Sequence, residues 1–114
     1  MANTDPFDML NVMQKVEQHA SQKSLAQEVG YSVGKVNYIL KALIDKGFLK
    51  IENFIKSDNK KGYRYILTRQ GLQEKISLTE AYISIKKNEY ETLQESLERD
   101  KQKIKTVNSK EKAV

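Results

Sequence analysis

The chain has 114 residues, of which 39% are hydrophobic and 31% charged, so it can form one ordinary domain with an appendage and is too apolar to be wholly disordered. It contains no cysteine and a single histidine, which excludes disulfide scaffolds, cysteine-based zinc sites, thiol nucleophiles and multi-histidine metal sites. Its net charge is +5, and the positive charge is concentrated in the middle of the chain. Residues 20–64 contain nine basic and four acidic residues, whereas residues 1–19 contain one basic and three acidic residues.

Two helices are predicted first, of which the second is short. Asp5 followed by Pro6 is a helix start, since Asp5 can cap and Pro6 has no amide hydrogen to leave unsatisfied. Apolar residues then recur at helical spacing to about His19: Phe7, Leu10, Met13 (or Met9) and Val16. Either Ser21 or Ser24 can cap a second helix, whose apolar residues are Leu25, Ala26 and Val29.

A glycine separates this helix from a third. Gly30 can adopt the left-handed conformation that ends a helix at low cost, and Ser32 is the predicted N-cap of the next one. The third helix ends at Gly47, after Lys46, and one apolar stripe runs along it: Val36, Ile39, Leu40, Leu43 and Ile44.

The hydrophobic period then changes from 3.6 to 2 residues, which predicts a β-hairpin. Its first strand covers residues 48–52 and continues weakly through Phe54 and Ile55. A polar turn follows over residues 57–62, and the second strand covers residues 63–67. The tip of the hairpin is therefore cationic.

A long helix is predicted in the last third of the chain. Thr68 can cap a helix through Leu72 and Ile76, and residues 79–105 contain no Pro or Gly, which gives a helix about 40 Å long. Apolar residues form an imperfect heptad pattern that predicts a dimerisation surface: Ile76, Ile83, Tyr90, Leu93, Leu97 and Ile104. The predicted divisions are residues 1–78, 79–105 and a frayed polar tail over 106–114.

This order of elements is that of a winged helix-turn-helix followed by a long C-terminal dimerisation helix, a mainly α fold with a small β-hairpin. Ala26, Gly30 and Val36 have the separations of four and six residues typical of helix-turn-helix units. The glycine turn sets two short helices at a steep angle, so that the second can enter the major groove.

Three further motifs follow one another along the chain: Leu25-Ala26, the run from Leu43 to Leu49, and Leu67-Thr68-Arg69-Gln70-Gly71. With these motifs, the stretch over residues 21–68 resembles the MarR family of bacterial transcriptional regulators. The run from Val33 to Leu43, together with Lys50 to Phe54, is most similar to the MarR-like group associated with exopolysaccharide gene clusters. The resemblance implies a repressor that binds a palindromic operator.

The chain departs from the MarR pattern in two places. Asp58-Asn59-Lys60 has Lys where many MarR proteins have Arg at the wing tip, and a lysine lacks the planar fork needed for bidentate contacts. The chain is also shorter than typical members, which have helices at both ends and often bind a phenolic effector between them. An effector pocket is therefore not carried over, and the effector is unknown.

The side chains predicted to face DNA follow from the helical period. With Val36 at the centre of the buried stripe, Gly34, Tyr38 and Lys41 fall on the opposite side, flanked by Lys35 and Asn37. Asn37 can read adenine, Lys35 can read guanine or hold a phosphate, and Tyr38 can touch a thymine methyl or a phosphate. The full predicted DNA-binding set is Ser32, Gly34, Lys35, Asn37, Tyr38, Lys41, Lys56, Lys60, Lys61 and Arg64. All of these can instead be solvated surface residues.

Other residues are assigned structural roles. The cations of the hairpin can block edge-to-edge pairing instead of contacting phosphates. Tyr31, Tyr63 and Tyr65 are expected to pack the core and hairpin, and His19 to cap or lie at the surface. Gly30 to Lys35 is one residue too short for a phosphate-binding loop and follows a helix. No catalytic, cofactor or metal site is predicted.

The sequence therefore predicts a homodimer, paired through the C-terminal helix with possible help from the first helix, that binds double-stranded DNA. Without a signal peptide or an apolar span it is expected in the bacterial cytoplasm, associated with the nucleoid when bound. Two alternatives remain: a winged-helix protein-interaction or coiled-coil adaptor, and a ligand-gated sensor.

Overall fold

The computed structural model describes residues 5–19, 21–55 and 61–113, which form four helices, a 3-10 turn and one antiparallel hairpin. In chain order the elements are α1 (Pro6–Lys15), the 3-10 turn (Val16–Gln18), α2 (Gln22–Val29), α3 (Val33–Asp45), β1 (Leu49–Ile55), β2 (Lys61–Leu67) and α4 (Arg69–Ala113). This confirms the predicted class, mainly helical with a small hairpin and a long C-terminal helix.

Side chains that precede the first three helices satisfy their terminal amides. Asp5 accepts a hydrogen bond from the amide of Phe7 at 2.8 Å. Ser21, and not Ser24, caps α2, while Ser32 caps α3 and accepts from the amide of Lys35 at 3.1 Å. Each cap gives a donor at a helix start a partner that the helix itself cannot supply.

The core lies where the first three helices meet the base of the hairpin. The predicted stripe of α3 is its centre, since Val36, Ile39, Leu40 and Leu43 are all buried. Apolar residues from the other elements complete it: Met9, Val12, Met13, Val16, Leu25, Ala26, Leu49 and Tyr65. No polar or charged residue is buried among the described residues.

The hairpin is longer than predicted. β1 and β2 pair in antiparallel register from Leu49 opposite Leu67 to Ile55 opposite Lys61. The predicted turn over residues 57–62 is therefore wrong at its end, because Lys61 and Gly62 already pair with β1. Lysine and glycine have low strand propensity, so their pairing depends on the partner strand and not on a local pattern.

Helix α4 is continuous across the predicted division between residues 78 and 79. The Thr79 hydroxyl donates to the carbonyl of Lys75 at 2.7 Å, the geometry of a helix interior. The tail over residues 106–114 was expected to fray, yet α4 continues through Ala113. Thr106 likewise donates back to the carbonyl of Gln102, at 3.1 Å.

Contacts divide the chain into two units, Met1–Glu80 and Ala81–Val114. In the first unit, Leu78 packs partly buried against the core. In the second, nearly all described residues are exposed, and ion pairs three residues apart link neighbouring turns, such as Lys86 with Glu89 at 3.2 Å.

The start of α4 is fixed to the turn that follows α3. The Thr68 hydroxyl donates to the carbonyl of Gly47 at 2.6 Å and accepts from the amide of Gly71 at 3.0 Å, and the amide of Thr68 donates to the carbonyl of Phe48 at 3.1 Å. The backbone of Gly71 lies so close to Phe48 that a Cβ atom there would be 1.9 Å from the Phe48 carbonyl oxygen. Only glycine fits this contact.

We expect Gly71→Ala to lower the free energy of unfolding by about 1–3 kcal/mol, because the added methyl group forces the backbone apart. Gly34→Ala is the matched control: a Cβ there meets nothing within 4 Å, so it should raise stability by about 0.5–1 kcal/mol. Urea unfolding of both variants measures this, and equal stabilities would refute the close contact.

Candidate nucleic-acid interface

The turn between α2 and α3 orients the candidate interface. Gly30 has φ 79°, the left-handed conformation predicted for it, and its amide and that of Tyr31 both donate to the carbonyl of Ala26. This ends α2 and lets α3 start at Val33, three residues after Gly30. The two helices then bury Leu25, Ala26 and the stripe of α3 in the shared core.

The side of α3 opposite the core is exposed. Gly34, Lys35, Tyr38 and Lys41 are exposed and Asn37 is half-buried, which is the face that the helical period predicted. Ser32 is also exposed, with its hydroxyl engaged in the cap. The exposure prediction is confirmed, and contact of these residues with DNA stays a prediction.

Lys35 is held by an acidic residue of α1. Its ammonium lies 2.9 Å from a carboxylate oxygen of Asp8 and 4.1 Å from the centre of the Tyr31 ring. The Tyr31 hydroxyl donates to the other oxygen of Asp8 at 2.7 Å and accepts from Asn11, also at 2.7 Å. The hydrogen bonds from Lys35 and then Tyr31 lower the pKa of Asp8, and the bond to Asp8 raises the pKa of Lys35.

Asn37 is held by the first residue of α2. The Gln22 amide nitrogen donates to the side-chain oxygen of Asn37 at 3.1 Å. Burial raises the pKa of the Tyr65 phenol in β2, and the Gln22 side chain offsets part of this effect. The hydrogen bond from Gln22 to Asn37 connects α2 with α3.

The hairpin presents fewer described cations than predicted. Lys56 and Lys60 lie outside the described residues, and Lys61 is placed only by its backbone pairing with Ile55. Arg64 is exposed and binds Glu52, directly opposite on β1, at 2.8 Å, so its charge is partly neutralised.

The residues assigned structural roles occupy such positions. Tyr65 is buried, and the ring of Tyr63 meets it edge-on at 5.7 Å. Tyr31 is half-buried against the core, where burial raises its pKa. His19 is half-buried with its Nδ1 atom 2.6 Å from the Ser24 hydroxyl.

Sequence reasoning missed Asp8 and Gln22 as parts of the interface. From the sequence alone, Asp8 is explained as an acidic residue in the first turn of a helix, where it interacts favourably with the helix dipole, and Gln22 is explained as an ordinary helix-forming residue. Their partners are 27 and 15 positions away in the sequence, namely Lys35 and Asn37. Only the packing of the three helices brings them together.

Two features bear on other kinds of site. Among the described side chains, no three carboxylates or histidines converge as metal ligands. None of the described helices is long and apolar enough to cross a membrane.

Comparison with known proteins agrees with this geometry. Residues 7–50 match the sequence model of a family described as winged helix-turn-helix DNA-binding. No curated protein matches the chain.

Several solved structures share the fold. A PadR-like transcriptional regulator from Bacillus cereus strain ATCC 14579 has a TM-score of 0.65 at 14% identity, over 75% of this chain and 90% of that one. A MarR family transcription regulator has a TM-score of 0.52 at 16% identity, over 80% of this chain and 68% of that one. Staphylococcus aureus MarR, in complex with salicylate and kanamycin, has a TM-score of 0.52 at 14% identity over 71% of this chain, which spans about half (54%) of that protein.

The family match and the fold define the class of protein. Residues 7–50 lie within a winged helix-turn-helix DNA-binding unit, which α1, α2, α3 and the hairpin form. This is the architecture of a non-enzymatic DNA-binding protein.

The contacts of Asp8 predict a pH dependence of stability. Because its pKa is lower in the folded chain than the usual 3.8, the ionised carboxylate stabilises the fold above that pH, and this contribution is lost as the pH falls through the folded pKa. We therefore expect Asp8→Asn to lower the urea midpoint at neutral pH, with a difference from the parent protein that shrinks as the pH falls below 3.8. A difference that stays constant with pH would show that the charge of Asp8 is not its cause.

Proposed function

We propose that this protein is a sequence-specific transcriptional regulator of the MarR type that binds double-stranded DNA through α3 and the hairpin. The observation that carries the proposal is the exposed face of α3, with Gly34, Lys35, Tyr38 and Lys41 on one side of a helix whose other side is buried. That helix lies within the residues that match a DNA-binding family.

The dimensions of α3 suit the major groove. A helix with its side chains is about 10–12 Å across, and the major groove is about 12 Å wide. Gly34, in the first turn, has open space around its Cα atom, so the backbone can approach a base edge or a phosphate closely. Asn37 and Lys35 then lie on the same surface with polar groups that can read bases.

Exposed cations of the first unit support binding to a polyanion. In addition to Lys35, four lysines of the first unit are exposed. They are Lys23 on α2, Lys41 on α3, Lys46 directly after α3, and Lys50 on β1. Contacts of this kind supply most of the affinity for duplex DNA, while base contacts supply discrimination.

A homodimer is the assembly that α4 supports. In the second unit, the apolar residues of the predicted heptad pattern, Ile83, Tyr90, Leu93, Leu97 and Ile104, are between 52% and 69% exposed. Ile76, in the first unit, is exposed to 52%. We infer that a second copy covers these residues, and a dimer with two recognition helices suits a palindrome whose half-sites lie about 34 Å apart.

Regulation of exopolysaccharide genes by repression, in the bacterial cytoplasm, is the finer part of the proposal. It is supported by the resemblance of residues 21–68 to MarR proteins and, within that family, to the exopolysaccharide-associated group. Binding at a promoter would repress by excluding the polymerase.

The second candidate is a coiled-coil adaptor that binds proteins only. The exposed stripe of the second unit favours it, as do the acidic partners of Lys35 and Arg64. Selection of bound fragments from random duplexes at about 0.15 M salt separates the two functions, because only a DNA-binding regulator enriches a common motif. For a DNA-binding regulator, the logarithm of the binding constant for duplex DNA should fall with the logarithm of the salt concentration, with a slope of about −0.9 per phosphate contact. An adaptor shows no affinity for duplex DNA.

Removal of a base-reading side chain should affect the selected site more than random DNA. We expect Asn37→Ala or Lys35→Ala to cost about 1–3 kcal/mol on the selected duplex and much less on random duplex, measured by fluorescence anisotropy. Lys86→Ala, which removes a lysine from the second unit, is the control and should change neither affinity. An equal loss on both duplexes would contradict base reading.

A charge in the stripe of α4 should dissociate the dimer. We expect Leu97→Glu to give a monomer in sedimentation equilibrium, because a carboxylate cannot be buried in an apolar seam without a partner. Ile85→Glu is the matched control, since Ile85 is also an exposed apolar residue of α4 but lies outside the stripe. A dimer that persists in Leu97→Glu would rule out this surface.

A further inference from the structure

We propose that Asp8 determines specificity by making Lys35 a reader of guanine instead of a contact to phosphate. The inference rests on the proposed function and deepens it, because it assigns a base to the recognition helix. Asp8 is a positioning residue in this scheme, acting through Lys35.

The position of the Asp8 carboxylate is fixed. One oxygen lies 2.9 Å from the ammonium of Lys35, and the other accepts from the Tyr31 hydroxyl at 2.7 Å. Asn11 in turn donates to that hydroxyl at 2.7 Å. A carboxylate with donors on both oxygens cannot turn away from Lys35 without losing a hydrogen bond.

The Lys35 ammonium is also held on a second side and stays accessible. Its nitrogen lies 4.1 Å from the centre of the Tyr31 ring, within the range of a cation–π contact. The Lys35 side chain is nevertheless 43% exposed and that of Asp8 27%. An incoming DNA atom can therefore reach the ammonium while the ion pair persists.

The paired ammonium distinguishes the two kinds of acceptor that DNA offers. A phosphate oxygen in contact with Lys35 would lie within about 6 Å of the Asp8 carboxylate, inside the screening length of about 8 Å at physiological salt, so the two anions repel. Guanine presents O6 and N7, which are acceptors without a net charge, so Asp8 does not repel them in the same way. Asp8 thus weakens the binding of Lys35 to a phosphate and leaves its binding to guanine unaffected.

The test compares Asp8→Asn with the full-length parent protein. Asparagine keeps the shape and the acceptor for Tyr31 but removes the charge. On random duplex we expect the affinity to rise about three- to fivefold, the size of effect that an exposed charge pair has, and the salt slope to steepen by about 0.9, one additional phosphate. The ratio of affinities between the selected and the random duplex should fall.

Two controls isolate the cause. Glu17→Gln removes an exposed acid from the neighbouring 3-10 turn and should leave the affinity ratio unchanged. In the Lys35→Ala background, Asp8→Asn should no longer change the salt slope. If Asp8→Asn does not fold, Tyr31→Phe replaces it: it keeps the ring and removes the hydrogen bond to Asp8, and a smaller change in the same direction is expected.

The outcomes separate this inference from the proposed function. No duplex affinity in the parent protein would overturn both. A parent protein with a selected motif, whose affinity ratio and salt slope are the same in Asp8→Asn, would overturn only the role of Asp8. A uniform loss of affinity at an unchanged slope would also overturn it, because Asp8 would then only support the fold.

Discussion

The burial of one side of α3 is the constraint on which the candidate interface depends. Val36, Ile39, Leu40 and Leu43 are at most 1% exposed, and each such side chain stabilises the fold by about 1.5–3 kcal/mol relative to exposure. Rotation of α3 about its axis would expose them, so the opposite face is fixed as the outer one. The position of the proposed DNA-binding surface is therefore a consequence of core packing, while the core does not constrain the chemistry of its side chains.

A second layer of polar contacts orients individual side chains on that surface. Asp8 forms an ion pair with Lys35, and Gln22 donates a hydrogen bond to Asn37. These groups are exposed or half-buried, so the contacts add little to stability. Their effect is to reduce the number of rotamers that the two candidate reading residues must give up on binding DNA. In the proposed complex, both residues would therefore approach a base from a defined starting conformation.

Local chemistry made much of this fold predictable. Capping by Asp5, Ser21 and Ser32, the left-handed Gly30 and the stripe of α3 all depend on residues within one or two helical turns. The same information predicted the exposed face of α3. The tertiary pairing of Ile55 with Lys61, and the long-range partners of Lys35 and Asn37, depend on how the elements pack, which no local pattern carries. The continuation of α4 through Ala113 was missed because residues 106–114 are largely polar and have no apolar periodicity to indicate a helix.

The second unit raises a separate thermodynamic question, which its own composition answers. Most helical stability in proteins comes from packing, yet nearly all described residues of this unit are exposed, and its ion pairs three residues apart contribute only a few tenths of a kcal/mol each. An apolar partner for Ile83, Tyr90, Leu97 and Ile104 would supply the missing stabilisation. In the proposed dimer that partner is the same stripe of a second copy. If such a dimer binds a palindrome with two recognition helices at once, disruption of the stripe would weaken operator binding even where no residue of the stripe touches DNA.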